Sequence, residues 1–323
     1  MRTKTELYRE AKRRVESRRQ RAVTEAVARR AAALAAIPGL EAAEQQVRLL
    51  GLKAVQLAAQ GASEGAVADA QATRALAQAE LDRLLAAHGY GPGSLEPKFT
   101  CPFCQDTGLA KGRLCECVGR AARELRREEI NAESPLALCT FDTMQLRYYP
   151  DRQDPELGVN IRAYMGETLA ALGEYADAFD LKSANLLITG NAGLGKTHAS
   201  LSIVDRVLKK QWDAIYISAQ NLFSQLERER FSDNCSLLEA VREADLLVLD
   251  DLGTEHVNPY MLSCFYDILN TRMLERRPTI YTSNIVDGQK FEARYTEKIA
   301  SRLAGSCEPV LFLGDDIRPL LHP

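Results

Sequence analysis

Apolar and polar positions alternate along this chain in two different rhythms, and the change between them divides it. Residues 1 to 88 are rich in Ala, Arg, Glu, Gln and Leu, all good helix formers, and are interrupted mainly at Pro38-Gly39 and at Gly61 to Gly65. Three helices are predicted there. The third is expected to start with Ser63 as its N-cap and to stop at His88-Gly-Tyr-Gly-Pro-Gly93. Ala77, Leu81, Leu84 and Leu85 recur at helical spacing, so one face packs against a neighbour, as a small bundle or as a docking surface. A cysteine-rich knuckle spans 94 to 118, and Arg120 to Ile130 reads as a charged helix, followed by a linker. From Asn185 onward short apolar runs take over: Asn185–Thr189, Ala214–Ser218, Leu246–Asp250, Thr279–Ser283 and Pro309–Phe312. Helical segments separate them, and that alternation predicts an α/β fold, a parallel sheet covered by helices on both faces.

With 323 residues the chain is long enough for two units, one small and one with a full core. Hydrophobic residues make up 46% and charged residues 26%, the balance of a globular protein, and no apolar run reaches the roughly 20 residues that span a bilayer. No membrane association is expected. The basic N-terminus lacks an apolar h-region, so a cytoplasmic location is expected. A net charge of −3 argues against coating DNA by global electrostatics, although residues 1 to 30 hold eleven Arg or Lys against four Glu. Lys12-Arg13-Arg14 and Arg18-Arg19-Gln20-Arg21 read either as a solvated helix face or as contacts to nucleic acid or an acidic partner.

Gly190, Gly195, Lys196 and Thr197 meet the pattern G-x-x-x-x-G-K-[ST] between an apolar strand and a helix. The intervening Asn191, Ala192, Gly193 and Leu194 complete a loop whose backbone N–H groups are expected to curl around the phosphates of a nucleoside triphosphate. Lys196 is expected to reach the β and γ oxygens, and the Thr197 hydroxyl to ligate Mg²⁺. Leu246-Leu-Val-Leu-Asp250-Asp251 supplies an apolar strand ending in carboxylates. Asp250 is expected to hold Mg²⁺ and Asp251 to orient or deprotonate the attacking water. Thr282-Ser283-Asn284 ends the next strand; if that strand lies between the other two, Asn284 helps position the water.

Cys101-x-x-Cys104 and Cys115-x-Cys117 form a set of four thiols whose softness and number suit a structural Zn²⁺. A redox dithiol and unligated thiols are the alternatives. Gly108, Lys111 and Gly112 permit the hairpin that brings the halves together, and the scattered Cys139, Cys235, Cys264 and Cys307 read as free thiols.

The ordered set Gly190 to Thr197 with His198 following, Asp250-Asp251-Leu-Gly-Thr-Glu255, Thr282-Ser283-Asn284, Ser301-Arg302-Leu303 and Gly314-Asp-Asp-Ile-Arg318 resembles the AAA+ ATPases of the DnaC/DnaI type. These are replicative helicase loaders of bacteria and phages, in the IstB-like ATP-binding family. Leu95 to Gly108 with Cys115-Glu-Cys117 looks like the knuckle of their zinc-bearing members, so the resemblance covers about residues 90 to 320. The first 90 residues match only in being helical and charged, and the expected division is a helical, partner-binding arm at 1–93, a zinc knuckle and charged helix at 94–130, a linker and the N-terminal part of the ATPase domain at 131–184, and the AAA+ core and lid at 185–323. The resemblance implies ATP, Mg²⁺ and Zn²⁺ as cofactors. A hexameric replicative helicase, single-stranded DNA and further copies of the chain are the implied partners.

By the same resemblance His198 belongs to the nucleotide site, Arg302 is an arginine finger reaching a neighbour's nucleotide, and Arg318 is a sensor touching the γ-phosphate. Surface salt bridges are the alternative for both arginines. Asp251 stands where many AAA+ enzymes carry Glu, which suits a slow switch. Ala219 to Phe231 is an amphipathic helix at the place where initiator-type relatives touch single-stranded DNA; Phe223 or Phe231 would stack on a base with Arg228 or Arg230 near phosphate, or the Phe pair is core. Phe141 either walls the adenine pocket or packs. Two other functions stand beside the loader: a transposition helper ATPase of the IstB type and a P-loop small-molecule phosphotransferase.

Overall fold

The computed structural model describes residues 1–134, 139–230 and 236–321. Three helices open the chain, α1 (Lys4–Ala36), α2 (Leu40–Ala59) and α3 (Glu64–Ala87), in agreement with the sequence reading. Ser63 accepts from Ala66 N–H at 3.4 Å as the N-cap of α3. A short hairpin, β1 (Leu109–Ala110) and β2 (Arg113–Leu114), follows, then α4 (Glu116–Glu133). Lys111 and Gly112 turn the hairpin with φ of 50° and 74°, the left-handed pair that a two-residue connection requires. The rest of the chain runs α5 (Ile161–Ala178), β3 (Asn185–Thr189), α6 (Lys196–Lys209), β4 (Ala214–Ser218), α7 (Ala219–Glu229), α8 (Ser236–Glu243), β5 (Leu246–Leu252) and α9 (Pro259–Leu274). It ends with β6 (Thr279–Ser283), α10 (Gly288–Tyr295), α11 (Glu297–Ser306), β7 (Cys307–Leu311) and α12 (Arg318–Leu321).

Two compact units result, Arg13–Cys117 and a larger one of Val118–Pro323 joined by Met1–Lys12. The first has its own small core, in which Ala33, Ile37, Leu40, Val47 and Leu81 meet. The larger unit includes the first twelve residues, which the sequence reading assigned to the arm, because buried polar groups hold them there. Arg126 of α4 donates to Arg2 O at 2.9 Å and to both carboxylate oxygens of Asp213 at 2.8 and 3.0 Å, and Lys4 pairs with Asp245 at 3.0 Å.

In the larger unit the five long strands pair in parallel in the order β4-β5-β6-β3-β7. The pleat sends alternate residues to opposite faces. Leu186, Ile188, Tyr216, Val248 and Ile280 face one core with α5 and α6, while Ile215, Ile217, Leu247, Leu249 and Tyr281 face another with α7, α8 and α9. Helices on both faces explain why the strands read as unbroken apolar runs. Pro309, which has no N–H to donate, lies on the edge strand β7, which begins two residues before the expected start. The stretch 131–184, read as linker and the beginning of the ATPase domain, contains α5, whose Met165, Leu169, Leu172 and Ala176 are core. No helix among the described residues is long and apolar enough to cross a membrane.

Candidate nucleotide site

At the C-terminal end of β3 the backbone turns through Gly190, Gly193 and Gly195 at φ of 147°, 76° and 90°, and α6 begins at Lys196. Only glycine is tolerated at Gly190, where a Cβ would come within 2.5 Å of Phe312 O. Tyr149 braces the loop by donating its hydroxyl to Leu194 O at 2.8 Å. The Lys196 ammonium is folded into the loop, donating to Gly190 O at 2.7 Å, Asn191 O at 2.6 Å and Asn284 Oδ1 at 2.7 Å. Burial lowers its pKa to about 8, against the opposing pull of Asp251 and Asp250.

The sheet order places β6 between β5 and β3, and this brings Asn284 beside the loop. Asp250 is 3% exposed and accepts three hydroxyl bonds, from Thr197 at 2.9 Å, Tyr216 at 2.7 Å and Thr282 at 2.6 Å. Thr197 and Asp250 are therefore adjacent and hydroxyl-bonded, an oxygen pair that suits Mg²⁺. Neighbouring residues of a regular strand point to opposite faces, yet both aspartates meet site residues. The β5–β6 register shifts between Leu249 and Leu252, and Asp251 adopts φ of 58°, left-handed for a non-glycine residue. This bulge turns Asp251 to accept from Asn284 Nδ2 at 2.7 Å. Burial, followed by the charge of Asp250, raises the Asp251 pKa, while Lys196 and Asn284 oppose it. Beside Asn191 and Asn284 opens a cleft of about 870 Å³, also lined by Ile285, Lys290 and Arg294.

The other expected residues have partners of their own. The His198 Nε2 is 2.7 Å from Thr143 Oγ1 and 3.2 Å from Thr140 O, so the ring ties α6 to the turn at Phe141–Thr143. Arg302 stacks its guanidinium over the Tyr266 ring, 4.5 Å from the centroid. Arg318 is ion-paired with Asp316. Phe223 is 5% exposed and packs edge-on against Phe265, so the base-stacking expectation fails for it: at helical spacing it fills the core beneath α7. Arg228 and Arg230 are exposed, Arg230 over the Tyr260 ring, and Phe231 lies outside the described residues, as does Cys235. Phe141 packs against the α5–α6 core under the Arg206 guanidinium.

In the smaller unit the sulfurs of Cys101, Cys104, Cys115 and Cys117 lie within 4.8 Å of one another, with Cys101–Cys115 at 3.8 Å and Cys104–Cys117 at 3.4 Å. Tetrahedral Zn–S bonds of about 2.3 Å place sulfurs about 3.8 Å apart, so the set fits Zn²⁺. Asp106, fully buried, accepts from the N–H groups of Thr100 and Cys101 at 2.7 and 3.1 Å and pairs with Arg18 at 2.9 Å. Sequence reasoning missed Asp106, Tyr149 and Tyr216. Each acts through a partner distant in the chain or through an uncommon backbone conformation, and no spacing rule registers either.

Residues 167–318 match the family described as IstB-like ATP binding protein. Over 102 residues the chain is 30% identical to an insertion sequence IS232 ATP-binding protein of Bacillus thuringiensis subsp. berliner, covering 31% of this chain and 40% of that one. It is 25% identical over 119 residues to the replicative helicase loader DnaC of Escherichia coli (strain K12), covering 36% of this chain and 49% of that one. The chain thus spans less than half the length of these two relatives. A crystal structure of the DnaC helicase loader superposes with a TM-score of 0.44 at 21% identity, over 52% of this chain and 99% of that one. The residues similar to IstB-like ATP binding proteins include the phosphate loop, Asp250, Asp251 and Asn284.

Proposed function

We propose that the chain is an ATP-hydrolysing helicase loader, which grips a hexameric replicative helicase and helps deposit it on single-stranded DNA in the cytoplasm. The observation that carries the reading is the order of the chain: a helical unit with a four-thiol cluster precedes the phosphate loop with Asp250 and Asp251. On α2 of that unit Leu49, Leu52 and Val55 are 59%, 61% and 67% exposed at helical spacing, an apolar stripe suited to a protein partner. The similarity to DnaC supports the same reading.

In the ATP site the loop N–H groups and Lys196 bind the phosphates, and Thr197 with Asp250 would hold Mg²⁺, which would supply neutralisation of the phosphate charge. Asp251 takes the proton of the attacking water, and its raised pKa makes it the stronger base. Asn284 fixes the Asp251 carboxylate by its amide bond. Arg302, free of any ion pair among the described residues, reaches the site of a neighbouring copy.

The test is retention of a purified hexameric replicative helicase on the immobilised full chain with Mg²⁺-ATP. Absence of retention, together with capture of an insertion-sequence transposase, would favour the transposition helper, the reading supported by the IS232 relative. ATP turnover without any acceptor disfavours the phosphotransferase.

A further inference from the structure

Beyond β7 the chain folds back onto the phosphate loop. Gly314, at φ of 125°, passes so close to Tyr149, Pro150 and Ile161 that an added Cβ would lie 3.4 to 3.5 Å from them. Ile317 N–H then donates to Gly193 O at 3.1 Å. The Asp316 carboxylate occupies the space where a side chain at Gly193 would be: its Oδ1 lies 1.8 Å and its carboxyl carbon 2.2 Å from the position of an added Cβ. Glycine at 193 therefore admits this carboxylate as well as the turn. Asp316 in turn accepts from Arg318 N–H at 3.0 Å and from Arg318 Nε at 2.9 and 3.0 Å. An anion thus rests against a loop built for anions, and it holds a guanidinium whose charge is felt at Lys196.

We propose that Asp316 is a built-in competitor of the triphosphate: its carboxylate keeps Arg318 and lies on Gly193 until the nucleotide displaces it, and so sets the affinity for ATP. The inference rests on the reading of this loop as an ATP site. A guanidinium forms the same two-pronged bonds with phosphate as with carboxylate, so Arg318 exchanges one partner for the other without losing charge-assisted bonds. Asp316 is a carboxylate and ionised at neutral pH, and the Arg318 bonds lower its pKa further. Competition therefore persists at neutral pH.

The experiment is calorimetric titration of the nucleotide-free full chain with Mg²⁺-ATP. Asp316→Asn removes one negative charge near the phosphates, so its Kd is expected to fall about fivefold, the effect of one unit charge at close range in water. Asp316→Ala should tighten binding likewise, and Asp316→Glu, which keeps the charge, should not. If both Asp316→Asn and Asp316→Ala bind ATP no tighter than the parent, the inference is overturned. If the parent itself binds no ATP, the ATP-site reading fails instead, which the parent titration alone reveals.

Discussion

Asn284 and Asp251 are joined by a bond from Nδ2 to Oδ1 of 2.7 Å, and the other end of the same amide accepts from Lys196. The ammonium proposed to bind phosphate and the carboxylate proposed to handle water are thereby linked through one side chain. Their losses should nevertheless differ. Lys196→Ala should abolish tight ATP binding by removing the charge on the β and γ oxygens. Asp251→Asn should keep ATP and Mg²⁺, since Asp250 remains, while hydrolysis falls 10²-fold or more, about the contribution of a positioned general base. Calorimetry and phosphate release distinguish the two; equal loss of binding would make Asp251 structural or a metal ligand.

The affinity for ATP should depend on pH through Lys196. Burial sets its pKa at about 8 in the free protein, and the triphosphate raises it in the complex by placing negative charge beside the ammonium. Because the bound form holds the proton more tightly, binding takes up a proton above pH 8. The Kd should be level below about pH 7 and should weaken by up to about tenfold per unit above pH 8, until the bound-state pKa is passed. Titration in buffers of different ionisation heat checks the proton uptake; release of protons above pH 8 would contradict it.

Purified, reduced protein should carry about one Zn²⁺ per chain. Chelation should expose the amides of residues 95–120 to exchange while the sheet stays protected, because the four cysteines close a local loop. Asp106→Ala should weaken zinc retention, since Asp106 holds the N–H groups of Thr100 and Cys101. Substoichiometric metal in fresh protein would remove the zinc assignment.

Arg126 should be required for folding. It is 1% exposed and bonded to Asp213, Glu129 and the backbone of Arg2. Arg126→Ala leaves the buried Asp213 carboxylate without its cation, while Glu129 keeps Arg2, and denaturant unfolding should show a loss of about 3–5 kcal/mol. A loss below about 1 kcal/mol, the worth of an exposed pair, would show that the network is not a buried one in solution.

Turnover should depend on assembly if Arg302 acts on a neighbour. Arg302→Ala should bind ATP normally and turn over more slowly, by an amount on the order of 10³-fold at most for a slow switch. Mixed with Lys196→Ala chains it should regain activity, because some interfaces then pair an intact arginine with an intact loop. Tyr266→Leu, which removes the ring beneath Arg302, should lower turnover without changing the Kd for ATP. Inactive mixtures with verified mixed assembly would show that Arg302 does not act in trans.

The sequence by itself determined the first three helices, the five long strands and the phosphate loop. Strand-length apolar runs, the glycine spacing at Gly190 to Gly195 and the N-cap Ser63 depend on local geometry, and local geometry is written in neighbouring residues. The apolar strand that carries Asp250 was legible for the same reason, although β5 runs two residues further, to Leu252. Tertiary structure decided which ends meet. Placing β6 between β5 and β3 put Asn284 on Lys196, and a bulge with left-handed φ at Asp251 turned two successive aspartates toward one site. It also buried Phe223, tied His198 to Thr143, returned the first residues to Arg126 and laid Asp316 on Gly193. These relationships join residues separated by tens to more than a hundred positions. Packing and charge pairing select them among many arrangements that the local pattern allows equally.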